Sequence, residues 1–303
     1  MSESENSVSI IIPAFNEETA IGAVLTELED HIKTWNREEV EILVINDGST
    51  DRTAEIVSGF SGVRLINHRK NKGSGAAVKT GIRESSGEII IWYDADGQHR
   101  PEDVLKIINK MCEENLDYCI GIRDSNSYVD KSRSFGKKVL KKILNFITKE
   151  ELRDFNSGMR GFKRDIILSH LSLLPDTFGA STVTTLLMLE QEYRGGEVDI
   201  TVRRREGKSS VKQVRDGCRT IALIFQIIII FQPMRVFGKS GLAMCAFGMI
   251  YGMIRALQWS NGVPILASIL IIFGFQLICF GILSDQISKM RKQEDEKKYI
   301  YPN

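Results

Sequence analysis

Two carboxylates one residue apart, Asp94 and Asp96, stand in the stretch Trp92-Tyr93-Asp94-Ala95-Asp96-Gly97-Gln98-His99, directly after an apolar run. At the end of a buried strand such a pair repels itself unless a cation or a basic group lies between. A divalent ion bound to a diphosphate satisfies both charges, and Gln98 adds another oxygen of the hard kind that Mg2+ or Mn2+ takes. An isolated Asp-x-Asp is common in surface turns. This one gains weight from two further polar clusters, at residues 13–17 and 46–51, each of which also ends an apolar run.

Those runs name the elements that must hold the clusters. Residues 8–12 form a short β-branched run ended by Pro13, and residues 40–45 form a second, ended by Asn46-Asp47-Gly48-Ser49. Both read as buried parallel strands. Ile21, Val24, Leu25 and Leu28 recur between them at helical spacing, and Ser49 or Thr50 is placed to cap a following helix that carries Ile56 and Val57. Residues 63–66, 88–92 and about 118–122 supply three more strands, with a helix over 76–84. The alternation predicts an α/β doubly wound sheet, whose ligands sit beyond the carboxyl ends of the strands.

The 303 residues carry 40 Lys and Arg against 39 Asp and Glu, a formal net charge of +1. That balance gives no support to a nucleic-acid partner, which needs a basic surplus. It also hides two unlike halves. The chain is charged up to about residue 220, whereas 221–286 are dominated by Ile, Leu, Phe, Met and Gly with almost no charge. The segment 219–234, stopped by Pro233, is too short to cross about 30 Å of hydrocarbon and reads as an interfacial amphipathic helix. Residues 235–286 hold two candidate transmembrane helices, about 236–259 and 263–284, joined by Ser260-Asn261-Gly262.

Basic residues flank this hairpin on both sides and the turn is uncharged, so the positive-inside rule puts both ends in the cytoplasm, the charged tail 287–303 included. Arg255 is one turn from the far interface, where it can snorkel. The basic stretch 131–149 reads either as a packed helix with solvated lysines or as a helix on an anionic membrane. The five cysteines form no CxxC pair, and the first seven residues lack an apolar signal core. The soluble part, residues 1–218, is therefore expected to stay cytosolic.

Pro13-Ala14-Phe15-Asn16-Glu17, Asn46-Asp47-Gly48-Ser49-Thr50-Asp51, Asn71-Lys72-Gly73-Ser74-Gly75-Ala76 and Asp94-Ala95-Asp96-Gly97-Gln98-His99 resemble, in order and spacing, the signatures of family-2 inverting glycosyltransferases of GT-A fold. Asn156-Ser157-Gly158-Met159-Arg160-Gly161-Phe162, with Arg204, Gly207 and Ser209, is similar to the dolichyl-phosphate mannose synthase and polyprenyl-phosphate glycosyltransferase subgroup. The likeness spans roughly residues 7–215.

It implies that Pro13, Ala14, Asn16, Glu17, Asp47, Lys72, Asp94 and Ala95 bind the nucleotide sugar, and that Asp94, Asp96 and Gln98 bind Mg2+ or Mn2+. It also implies Asp96 and Arg204 as catalytic groups. Arg123, Arg133, Arg204 and Ser209 are the candidates for the acceptor phosphate, because a guanidinium is permanently charged and donates two parallel hydrogen bonds.

The expected reaction moves a hexose from GDP-mannose, UDP-glucose or UDP-GlcNAc to a dolichyl or undecaprenyl phosphate. A transferase acting on a glycan or polysaccharide and a non-catalytic nucleotide-sugar-binding scaffold are the competing readings. The hairpin also offers a surface for homo-oligomerisation. Two departures stand out: Asn46 replaces a usual carboxylate, and Ser210 replaces a usual lysine, leaving Lys208 or Lys212 as substitutes.

Overall fold

The computed structural model describes residues 7–35, 37, 39–124, 127, 153–154, 156–177, 179–204, 233–258 and 264–300. Two compact units divide the chain, Met1–Gly217 and Cys218–Asn303.

The first unit is built on a seven-stranded mixed sheet of order β3-β2-β1-β4-β6-β5-β7. Its strands are β1 (Val8–Ala14), β2 (Val40–Asn46), β3 (Val63–Asn67), β4 (Ile89–Trp92), β5 (Tyr118–Arg123), β6 (Arg160–Lys163) and β7 (Gly195–Ile200). The first four run parallel, and the register sets Ala14 beside Asn46 and Asn46 beside Asn67, so three strand ends lie level. β6 enters antiparallel between β4 and β5, with Arg160 opposite Trp92. The sequence pattern anticipates the first five strands and misses β6 and β7.

α1 (Ile21–Ile32) buries Ile21, Val24, Leu25 and Leu28, the stripe expected from their spacing. Together with Ile10, Ile12, Val44 and Ile91 from the sheet these side chains form one core. Each contributes about 1.5–3 kcal/mol on leaving water, which keeps the strand ends rigid. α2 (Thr53–Ser58) corrects one expectation: neither Ser49 nor Thr50 caps it. The Ser49 hydroxyl instead accepts from the Asn16 backbone (3.0 Å), and Asp51 accepts from the backbone N–H of Thr53 (3.0 Å) and its hydroxyl (2.6 Å). A carboxylate two residues from the helix start outcompetes the hydroxyls for that donor.

α3 (Ser74–Glu84) follows β3, and α4 (Pro101–Glu113) follows β4, with Pro101 at its start and Glu102 and Asp103 in its first turn. That arrangement suits an N-terminus. α5 (Arg164–Ser169), a 3-10 turn over Leu171–Leu173 and α6 (Ala180–Glu190) complete the unit among the described residues. At the opposite end of the sheet from the polar loops, the Glu41 carboxylate accepts from the Ser9 hydroxyl, the Ser86 N–H and hydroxyl, and the Gly87 N–H. Burial pushes this carboxyl up, but the four donors together hold it below its ordinary value.

In the second unit a π-helical turn (Met234–Gly238) leads into α7 (Lys239–Gln258), which packs along α8 (Ile265–Ile300). Gly241 and Gly274 let the backbones meet, since a Cβ on Gly241 would lie 2.5 Å from the Gly274 oxygen. Leu242, Phe247, Met253, Phe273 and Phe280 face outward. Val236–Gln258 and Ile265–Met290 are long and apolar enough to cross a membrane. The second helix runs on past residue 284, where the expected membrane segment ends. Beyond it the chain lacks Gly and Pro until Pro302, and Asp285 pairs with Lys289 one turn on (2.7 Å), so the helix continues to Ile300. Residues 219–232 of the expected interfacial helix, and the stretch 131–149, lie outside the described residues.

Candidate active site

The carboxyl ends of β1, β2, β3 and β4 carry the polar loops, as a parallel sheet requires of a ligand site. Pro13 and Ala14 end β1 beside Ile45 and Asn46. Asn16 follows with φ 54°, a left-handed conformation that Asn tolerates. Its side-chain oxygen accepts from the Thr50 N–H (2.8 Å), and the Glu17 N–H donates to the Thr53 hydroxyl (2.9 Å). Both residues thereby tie the first loop to the second.

Asp47 is 2% exposed. Its Oδ1 accepts from the Lys72 N–H (2.9 Å) and lies 2.7 Å from His68 Nδ1, and its Oδ2 accepts from the Gly73 N–H (2.8 Å). His68 in turn faces the Thr80 hydroxyl through Nε2 (2.9 Å). Asp47 therefore organises the loop that bears Lys72, whose side chain is exposed. Gly48 makes this turn feasible: its φ is +70°, and a Cβ would lie 2.5 Å from the Lys70 carbonyl carbon. Asn46, in the place of the usual carboxylate, shapes the turn by accepting from the Ser49 N–H (3.0 Å) and donating to Asn67 (2.7 Å).

Beyond β4 the arrangement differs. The Asp94 side chain is 45% exposed, while the ring of His99 behind it is buried and places Nε2 3.1 Å from Asp94 Oδ2. The Tyr93 hydroxyl donates to the His99 carbonyl (2.9 Å), and burial pushes that phenol far above its usual range. Gly158 lies so close to the Asp94 carboxylate that a Cβ would overlap Oδ2 and come within 3.1 Å of His99 Nε2. Ala95 is buried, and Asp96 is 9% exposed and accepts from the Gln98 N–H (3.2 Å).

The Gln98 amide nitrogen donates to the Arg203 carbonyl (3.1 Å), and the Arg203 N–H donates back to the Gln98 carbonyl (2.9 Å). Arg203 is itself held by a two-pronged pair with Glu27 on α1 (2.7 and 2.8 Å). The hydrogen bond from Arg203 lowers the Glu27 carboxyl. Neither Arg203 nor Glu27 figures among the residues picked from the sequence. An Arg-Arg-Arg run gives no signal that one member anchors the loop.

Of the proposed acceptor residues, Arg123 ends β5 and makes a bidentate pair with Asp154 (2.5 and 2.7 Å), which raises its pKa. Arg204 is exposed, one residue beyond Arg203. Arg133, Ser209, Lys208 and Lys212 lie outside the described residues. The described residues contain no cluster of three His, Cys, Asp or Glu suited to a metal. Two acidic groups with a side-chain amide oxygen nevertheless fit an ion that draws its remaining ligands from a diphosphate and water. Gly158 makes room for the Asp94 carboxylate itself, whose side chain stays 45% exposed.

The profile of glycosyl transferase family 2 matches residues 9–170, over half of the chain. The chain belongs to that family. Residues 232–290 match a second profile, the GtrB C-terminal hairpin. Glycosyltransferase AglJ of Haloferax volcanii is 26% identical over 301 residues, covering 95% of this chain and 96% of the relative. The UDP-N-acetylglucosamine–dolichyl-phosphate N-acetylglucosaminyltransferase of Methanococcus voltae is 32% identical over 183 residues, covering 53% of this chain and 70% of that one.

An undecaprenyl-phosphate 4-deoxy-4-formamido-L-arabinose transferase of Photorhabdus laumondii is 25% identical over 314 residues, covering 95% and 90%. Among solved structures, glucosyl-3-phosphoglycerate synthase of Mycobacterium tuberculosis, in complex with Mn2+, UDP-glucose and phosphoglyceric acid, superposes with a TM-score of 0.60. It covers 73% of this chain and 79% of that one at 19% identity, a likeness of fold. This family-2 glycosyltransferase thus combines a GT-A sheet with two apolar C-terminal helices.

Proposed function

We propose that this glycosyltransferase moves a hexose, with inversion, from a nucleotide diphosphate sugar to the phosphate of a polyisoprenyl phosphate at the cytoplasmic face of a membrane. The observation that carries the reading is the union, on one chain, of a half-exposed strand-end carboxylate with an apolar hairpin of the GtrB type. Curated relatives named for undecaprenyl and dolichyl phosphate support the acceptor class. A polyisoprenyl chain cannot leave the bilayer without exposing a large apolar area, so an enzyme that uses it must come to the membrane. Two anchoring helices meet that need, with basic flanks on the cytoplasmic side.

A divalent cation on Asp94 and Asp96, with the Gln98 side-chain oxygen as a further ligand, would stabilise charge on the departing diphosphate. His99 and Gly158 hold Asp94 from behind, and the Gln98–Arg203 bonds hold the loop. Pro13, Ala14, Asn16, Glu17, Asp47, Lys72 and Ala95 form the nucleotide side, where Asp47 acts by setting the Lys72–Gly73 turn. Arg204, with Arg133 and Ser209, grips the acceptor phosphate, and Arg123 joins them if Asp154 yields it. A phosphate monoester loses its second proton with a pKa of about 6, so this acceptor needs no general base near neutrality.

The test incubates purified full-length protein with Mn2+ or Mg2+, each of GDP-mannose, UDP-glucose and UDP-GlcNAc, and a short polyprenyl phosphate. A lipid-linked monophosphate sugar, identified by mass, is the expected product with one donor. Transfer to a soluble glycan, with none to the lipid phosphate, would overturn the proposal.

A further inference from the structure

Arg160 is the largest side chain in the described structure that is completely shut off from solvent, at 0% exposure. Nε and Nη2 donate to the Ser157 carbonyl (3.1 and 2.6 Å). Nη1 donates to the Ser181 carbonyl (2.7 Å) and to the hydroxyls of Thr184 (2.8 Å) and Thr185 (3.1 Å) on α6. The guanidinium carbon lies 5.7 Å from the centre of the Trp92 ring, at the end of the strand that leads into Asp94. All the acceptors named are uncharged oxygens.

Burying a cation without a carboxylate in contact costs several kcal/mol, and hydrogen bonding to neutral oxygens recovers only part of it. A smaller polar side chain would join β6 to α6 at less cost. The charge therefore calls for a use.

Its neighbours supply one. The Ser157 carbonyl, fixed by two donors, is the residue before Gly158, and Gly158 is the backbone wall against which the Asp94 carboxylate rests. Rotation of the Ser157–Gly158 turn would move that wall. We propose that Arg160 is a positioning residue for the metal site: it clamps the Ser157–Gly158 turn from inside the core, so that Asp94 stays in place when donor and cation come and go. This rests on the metal reading of Asp94 and Asp96 given above. Burial pulls the Arg160 pKa down to about 10, with Asp154 and Asp94 acting on it through space in the opposite sense, so the clamp remains a cation at neutral pH.

The test reads Mn2+ affinity by electron paramagnetic resonance on the full-length protein with UDP or GDP present. Thermal unfolding is followed in parallel. Arg160→Lys keeps the charge but donates from a single point, and cannot hold Ser157, Ser181 and the two threonines together. The expected result is a folded variant whose Mn2+ dissociation constant rises about 10-fold or more, in the range found for groups that orient metal ligands. The metal concentration for half-maximal activity should rise with it, while the KM for polyprenyl phosphate stays unchanged.

Gly158→Ala places a methyl against Asp94 without touching the guanidinium, and should reproduce the metal defect should the lysine variant fail to fold. Either variant, folded and with wild-type Mn2+ affinity, overturns the assignment. Wild-type protein that takes up no Mn2+ with either nucleotide would instead overturn the metal reading itself, and the role of Arg160 with it.

Discussion

The loops after β1, β2 and β3 and the loop after β4 all carry acidic or amide side chains at strand ends, yet they use them differently. In the first group the side chains bond to backbone and side chains of neighbouring loops: Asn16 to the Thr50 N–H, Asp47 to the Lys72–Gly73 backbone and His68, Asn46 to the Ser49 N–H and Asn67. After β4, Asp94 is fixed at its back by His99 and Gly158 while nearly half its surface faces outward. The first region is a frame completed before any ligand arrives. The second turns one carboxylate, that of Asp94, partly outward. Substitutions in the first should therefore act mainly on stability and donor affinity, those in the second on turnover.

The largest effect that would sharpen this contrast is on the acidic pair. Asp96→Ala should lower turnover by about 10²–10³-fold or more, the range for losing one group that stabilises developing charge. Membrane insertion and thermal midpoint should stay near wild type. Wild-type turnover in this variant would remove the metal-site assignment.

Asp47→Ala should behave in the opposite way. It strips a buried carboxylate from three donors, and about 3–5 kcal/mol of stability should go with it. Denaturant unfolding checks this, and a donor KM that rises before kcat falls would place the defect in the frame. Gly48→Ala imposes a side chain on a positive φ and on the Lys70 backbone. A loss of about 1–3 kcal/mol is expected in the same experiment, with kcat largely kept once the protein is saturated with donor.

The smallest effect concerns acid. Glu41, held below its ordinary carboxylate value in the folded state, contributes stability that is present above pH 4.5 and is lost as pH falls through its lowered folded value. Urea midpoints measured from pH 7 downward should show this loss, and Glu41→Gln should flatten that limb. An unchanged acid limb in the variant would show that the Ser9, Ser86 and Gly87 donors do not favour the ionised form.

Much of the sheet was readable because β1, β2 and β4 are β-branched runs buried on both faces, and the α1 stripe repeats at helical spacing. β6 and β7 were not, for local reasons. β6 is four residues that begin with a buried arginine, and β7, Gly-Gly-Glu-Val-Asp-Ile, is largely exposed, so neither shows the apolar signal of a central strand. The site was legible as a set of motif positions, because Asp94 and Asp96 follow a recognisable strand. Which groups those side chains meet depends on contacts between residues far apart in sequence, such as Gln98 with Arg203 and Arg203 with Glu27. The capping expectation for Ser49 failed for two reasons: Asp51 takes the Thr53 donors nearby, and the partner of the Ser49 hydroxyl, Asn16, is 33 residues away.

The contrast between the buried frame and the carboxylates after β4 is tested most directly by measuring the phosphorus-31 hyperfine coupling to Mn2+ bound to the full-length protein with UDP or GDP. A resolved coupling in the wild type, lost in Asp96→Ala yet retained in Asp47→Ala after allowance for its folded fraction, is the result expected here. Coupling that survives in Asp96→Ala, or that never appears in the wild type, would contradict the assignment of the strand-end carboxylates to the diphosphate-bound cation.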